Sequence, residues 1–221
     1  MEMIEYKNDI DKEVLKSNNI VIEQNAQLED GVLLGANVCV LGESVIKKGC
    51  KIFSNSVLKN VSLSSGVEVK SSCLEDCEIG ANTTVGPFAH IRNHSEIGYD
   101  CRIGNFVEIK NSIIGNKTKI AHLTYVGDAV LGVNCNIGCG VVFCNYNGQI
   151  KQTTIVGNDV FVGSNVNLIA PIVIGDKAYI AAGSTINKDV LAEEFSIARK
   201  RQTNKRGFKN PYIEKLKKDK N

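Results

Sequence analysis

The chain has 221 residues and a formal net charge of +2, with no tryptophan, seven phenylalanines and twenty glycines. So even a balance argues against a general nucleic-acid binder, and no apolar run approaches the roughly 20 residues of a membrane-spanning helix. The polar, acidic start MEMIEYKNDIDKEV has no signal-peptide character, which gives a cytoplasmic expectation and reduced thiols for the eight cysteines.

Residues 1–18 form an N-terminal extension outside any repeat. There Tyr6, Ile10 and Val14 fall at i, i+4, i+8, so a short amphipathic helix is predicted. A regular beat then begins. Ile22, Leu28, Leu34, Val40, Ile46, Ile52 and Leu58 are spaced by six. The count slips by one residue around Leu63, Leu74 and Ile79, then resumes through Val85, Ile91, Ile97, Ile103 and Ile109. Ile114, Ile120, Val126, Leu131, Ile137 and Phe143 continue it, and after an interruption it restarts at Val156 and runs to Ile186.

A period of six is neither the 3.6 of a helix nor the 2 of a hairpin ladder. It fits a coil whose six-residue unit is one short strand and a corner, with three units closing a turn of about eighteen residues. The prediction is an all-β parallel solenoid over 19–190, of roughly nine turns, whose core is a column of stacked aliphatic layers. The tail 191–221 is dense in Lys and Arg, with a helix expected near 211–219.

The interruption is the segment NYNGQIKQTT, close behind a lone histidine, His122. A single break in a regular repeat, beside a histidine and several polar residues, marks a site set on a scaffold. Imidazole titrates near neutral pH, as a general base requires. The pairs Cys73-x3-Cys77 and Cys135-x3-Cys139, with Cys144 behind, lack the CxxC spacing of zinc ribbons. They are read as small buried hydrophobes filling corners, with no metal site expected.

The repeated [Ile/Val/Leu]-Gly-x4 units resemble the hexapeptide-repeat, left-handed parallel β-helix acyltransferases. The motifs GPFAHIR (86–92), GNFVEIK (104–110), AHLTYVGDA (121–129), NIGCGVVFCNYNG (136–148), DVFVGSNVNLIAP (159–171), IAAGS (180–184) and SIARKRQ (196–202) narrow this. In that order they resemble the acetyltransferase half of the bacterial bifunctional N-acetylglucosamine-1-phosphate uridyltransferase/glucosamine-1-phosphate acetyltransferases, closely over 79–208 and more weakly over 20–78.

The resemblance implies acetyl transfer from acetyl-CoA to glucosamine-1-phosphate, with His122 as general base and Glu108 orienting it or meeting the substrate. It implies sugar-phosphate contacts from Arg92, Lys110, Tyr125, Asn136 and Lys151. It implies cofactor contacts from Cys139, Asn145, Tyr146, Ser164, Ala182 and Arg199. Cys139 stands where the family tends to have alanine or glycine, and His90 and Asn93 flank Arg92 where it often has arginine and proline. Trimers with sites between columns are implied as well. Galactosamine-1-phosphate is an alternative substrate, and a non-catalytic trimeric scaffold for a separate nucleotidyltransferase is an alternative role. No LAAGxGTRM-like loop occurs, so uridyl transfer is not expected of this chain.

Overall fold

The computed structural model describes residues 3–209 and residue 215. The expected helix near 211–219 therefore lies, apart from Lys215, outside the described residues.

Short parallel strands stack into a three-sided column. The first face runs from Leu33–Leu34 through Arg102–Ile103, Lys119–Ile120 and Asn136–Ile137 to Phe161–Val162, Tyr179–Ile180 and Phe195–Ser196. The second carries His90–Arg92, Val107–Lys110, Thr124–Gly127, Val142–Cys144 and Asn167–Ile169. The third carries Ser95–Ile97, Ile113–Ile114, Ala129–Leu131, Thr154–Val156 and Ile172–Ile174. Eleven strands pair on the first face, one of them antiparallel, so it has ten parallel rungs.

The every-sixth residues point inward, as alternation along a short strand demands. Leu34, Ile52, Leu58, Ile91, Ile109, Val126 and Phe143 are fully buried, with Phe143 the bulkiest. Each such side chain is worth ~1.5–3 kcal/mol of burial, realised only when the next rung covers it.

The slips in the count have a structural cause. Val57–Leu63 and Cys73–Ile79 are unbroken seven-residue strands that carry on round the edge between the second and third faces. One residue at each such bend, Asn60 and Asp76, takes positive φ and saves a position. Asn111 and Asp128 do the same at the five-residue steps after Ile109 and Val126. Short polar side chains tolerate this left-handed backbone better than others. They also ladder between rungs: Asn19 donates to Asn37 at 3.1 Å, and Asn37 to Asn55 at 3.0 Å.

The thiols fill corners. Cys50, Cys101 and Cys135 are buried and direct Sγ at carbonyls of the next rung, 3.0–3.3 Å away. Burial pushes all three upward, and Cys77 to about 12, so these are inert protonated thiols.

The N-terminal extension departs from its expected form. Ile4–Glu5 is a strand antiparallel to Leu33–Leu34, and the helix is only Lys12–Ser17, capped by Asp11 accepting from the Glu13 N–H. Tyr6 and Ile10 lie outside it, and the residue it turns to the core is Leu15, while Val14 is exposed. The three-point apolar spacing was too sparse to choose between a helix and a strand followed by a short helix.

Candidate functional site

The candidate residues gather at two edges of the column. The first lies between the first and second faces. His122 and Leu123 both have positive φ there, at 66° and 54°, which swings the chain round the corner and leaves both side chains exposed. The His122 backbone is anchored: its carbonyl accepts from the Gly140 N–H at 2.9 Å and from the Thr124 hydroxyl at 3.1 Å. Its imidazole has no side-chain hydrogen bond among the described residues.

The same corner repeats upward. The Cys139 carbonyl accepts from the Asn165 N–H at 2.7 Å, and the Ser164 carbonyl from the Gly183 N–H at 2.8 Å. Gly163 is needed for this close stacking, since a Cβ there would lie 2.5 Å from the Ala182 nitrogen. The tail then crosses the edge. Thr185 N–H donates to the Ala198 carbonyl at 3.1 Å, Ala198 N–H to the Ser184 hydroxyl at 3.1 Å, and Arg199 Cδ passes 3.8 Å from where a Gly183 Cβ would stand. His122, Cys139, Ser164 and Ala182 thus form one vertical line of mostly small side chains, and the Arg199 side chain lies beside its upper end, next to Gly183.

The second edge, between the second and third faces, is dense with charge. Register places Arg92 beside Lys110, and Lys110 beside Gly127. Arg92 ion-pairs with Glu108 and donates to Asn93 Oδ1 at 2.9 Å. Lys110 Nζ lies 3.4 Å from both oxygens of Asp128. Asp128 is almost buried, at 8% exposure, and also accepts from Asn111 Nδ2 at 2.6 Å and from the Asn145 amide. The Asn145 amide reaches the Tyr125 hydroxyl at 3.4 Å. Gly127 makes room for this, because a Cβ there would collide with both the Tyr125 ring and the Asn145 amide.

Burial alone would raise the Asp128 carboxyl, but the bonds from Asn111 and Asn145 and the Lys110 charge outweigh it and hold it below its ordinary value. The interruption folds back on itself, with Tyr146 bridging Lys151 in antiparallel fashion and the Tyr146 hydroxyl donating to the Gly148 carbonyl at 2.7 Å. That return sets Lys151 against Lys110. The Lys110 ammonium, and more weakly Arg92, keep Lys151 below the usual lysine range. Lys110, set against Lys151 and paired with Asp128, is raised above the usual lysine range. Lys151 has no carboxylate in ion-pair range among the described residues. Three cations therefore converge on two nearby carboxylates and leave room for an added anion.

Several expected residues fall elsewhere. Glu108 does not orient His122 in this chain; it pairs with Arg92, on whose strand neighbour it sits. Asn136 projects from the first face and is remote from the Lys110 cluster, though beside the His122 edge. Asn145 is buried as a support for Asp128 and is not on the line of small residues, and Tyr146 is exposed on the hairpin. The hub itself, Asp128 with Asn111, was not among the sequence candidates. Both sit at the five-residue steps, and a corner Asp or Asn reads as turn chemistry until the rungs are stacked.

Among the described residues no helix is long and apolar enough to cross a membrane. The model of the GMPPB C-terminal domain family matches residues 73–177. The bifunctional protein GlmU of Clostridium novyi is 47% identical over 195 residues, covering 88% of this chain and 43% of that protein. The bifunctional protein GlmU of Clostridium botulinum (strain Langeland) is 47% identical over 187 residues, covering 85% and 41%. The chain thus spans less than half the length of the curated relatives it matches. Among solved structures, the Arabidopsis UDP-N-acetylglucosamine acyltransferase aligns at 20% identity and a TM-score of 0.47, over 78% of this chain and 67% of that one. With its stacked hexapeptide coils and 47% identity to a part of these proteins, the chain belongs to the left-handed β-helix, hexapeptide-repeat family as a homologue of the acetyltransferase half of GlmU.

Proposed function

We propose that the chain transfers an acetyl group from acetyl-CoA to the amine of an amino-sugar phosphate, glucosamine-1-phosphate foremost. The observation that carries this reading is the vertical line from His122 to Arg199. Its residues sit on successive rungs about 4.8 Å apart, so it runs about 19 Å from an exposed base to an exposed cation. A thioester arm lying on Cys139, Ser164 and Ala182 has its acyl end at His122 and its phosphates at Arg199. The His122 imidazole takes a proton from the amine as nitrogen attacks the thioester carbonyl, the C–S bond breaks, and that proton passes to the leaving thiolate. Arg92, Lys110 and Lys151 bind the sugar phosphate, Arg92 by its planar fork and the lysines as point charges.

The assembly follows from the spacing of the two edges. His122 and the Lys110 cluster stand at opposite ends of the second face. About five residues of extended strand separate them, on the order of 15 Å, more than one sugar phosphate spans. A homotrimer in which the His122 edge of one column faces the cation cluster of the next closes that gap. The third face presents a flat strip of Ile113, Val130, Ile155 and Val173, each 40–47% exposed, for a neighbouring column to cover.

The test is thiol release from acetyl-CoA with glucosamine-1-phosphate, galactosamine-1-phosphate and unphosphorylated glucosamine. Release with a phosphorylated sugar and little with glucosamine is expected; no release with any amino-sugar phosphate overturns the reading. Co-refolding His122→Asn chains with Lys110→Ala chains tests the shared site. Activity returns in mixed trimers if the two residues serve one site from different chains, and stays absent if they serve it from the same chain.

A further inference from the structure

Between the strand of Arg92 and the rung below it, the second face carries a second cluster that the proposed acetyl transfer does not use. Cys73 and Glu75 are two apart on one strand and so project from the same side, and register sets His90 of the next rung beside Cys73. The Cys73 thiol, a Glu75 carboxylate oxygen and a His90 ring nitrogen all lie within 4.8 Å of one another. The Glu75–His90 separation is already 3.4 Å. All three side chains are half-buried, with Glu75 and His90 about 40% exposed, so an ion could enter from solvent.

The donor set is specific in its chemistry. A tetrahedral zinc ion, with bonds of about 2.3 Å to sulfur and about 2.0–2.1 Å to nitrogen and oxygen, needs ligand atoms roughly 3.3–3.6 Å apart. Glu75 and His90 meet that, and the thiol reaches it by moving about an ångström through side-chain rotation. A thiolate and a carboxylate together neutralise a divalent charge, and sulfur with imidazole favours zinc over magnesium or calcium. Neither nearby cation claims Glu75: Arg92 is turned to Glu108, and Lys59, in register with Glu75 on the rung below, makes no ion pair with it among the described residues. The two strands holding the ligands are hydrogen-bonded neighbours, so the cluster is held by the column and not by a loop.

We propose that Cys73, Glu75 and His90 form a three-ligand zinc(II) site, with its fourth position open to water and the Cys73 proton released to solvent on binding. The ion ties the rung that carries Arg92 to the rung below it. The site is independent of the proposed acetyl transfer, so either can fail without the other.

The probe is cobalt(II), added to the metal-free 221-residue chain and followed by thiolate-to-cobalt charge transfer in the near ultraviolet, then displaced with zinc(II). One equivalent per chain is expected, with tetrahedral d–d bands. Cys73→Ser abolishes the charge-transfer band. His90→Gln weakens binding by more than about 100-fold, the upper end of what loss of even an outer-shell partner costs. Cys144→Ser, a half-buried thiol elsewhere on the face, leaves both unchanged. Thermal unfolding of each metal-free variant checks its fold, and His90→Gln keeps the test alive if Cys73→Ser does not fold. No charge-transfer band in the parent chain, a band that survives Cys73→Ser, or His90→Gln binding as tightly as the parent overturns the proposal.

Discussion

The two edges of the second face are built from the same repeat and differ in how their polar groups are spent. On the His122 edge the backbone is fixed and the side chains are unengaged: imidazole, thiol, hydroxyl and methyl groups line up with few bonds to one another. On the Lys110 edge nearly every polar atom is engaged, with Asp128 alone accepting from Lys110, Asn111 and Asn145. The difference teaches that stacking supplies two kinds of site. His122, the proposed base, is held by its own backbone, where a side-chain partner would compete with the substrate. Groups that must hold a charge are preorganised by a buried counter-charge, because like cations this close repel one another.

The largest expected effect breaks the first edge. His122→Asn keeps a residue that tolerates positive φ while removing the base, so the acetylation rate should fall by about 10² or more. The melting temperature should hardly move. A rate equal to the parent across neutral pH would remove His122 from the chemistry, and a large loss of stability would mean the imidazole is structural after all.

Asp128→Asn attacks the second edge and should show first in stability. It removes charge-assisted bonds, each worth about 1.5–3 kcal/mol, and leaves Lys110 with only neutral partners. The sign of the pH dependence follows from the shift. Asp128 is depressed in the folded chain, so its stabilisation is complete above its unfolded value near 4 and is lost as pH falls through the lower folded value. Urea midpoints measured from pH 7 down to pH 2 should therefore show an acid loss that is smaller in Asp128→Asn. An identical acid limb in parent and variant would show that Asp128 is not held as described.

Lys151→Ala should be gentler. The residue is exposed and already strained by Lys110, so its removal should leave stability nearly unchanged while raising KM for the phosphorylated sugar. A fall in kcat with KM unchanged would take Lys151 away from phosphate binding. A separate, small change is expected at Thr154, on the rung above Ala129, whose buried hydroxyl finds no hydrogen-bond partner among the described residues. Replacing it with Val should be neutral or stabilising by up to about 1 kcal/mol in thermal unfolding, since an unsatisfied buried polar atom is removed without changing shape. A clear loss of stability would mean that the hydroxyl has a partner.

The six-residue beat was legible from the chain because each unit must hide one aliphatic residue, and that demand is local and periodic. The break at NYNGQIKQTT and the exposed His122 could be read for the same reason: each departs from a pattern strong enough to make departures visible. Asp128 could not be read so. As a corner residue it is indistinguishable from Asn60 or Asp76 until stacking delivers Lys110, Asn111 and Asn145 to it from other rungs.

Glu108 and Asn145 show the same gap from the other side, since each is named by its motif but has a partner one rung away, Arg92 and Asp128, that no motif reveals. Cys73, Glu75 and His90 are a further case, with ligands split across a full coil where no short spacing could reveal them. Sequence by itself determined the column, its rise, the inward residues and the place of the interruption, because these follow from contacts repeated at one fixed interval. Only the tertiary structure decided which charges meet at the two edges. Those meetings depend on register across rungs and on bends one residue shorter than the rest, and neither is written in any single repeat.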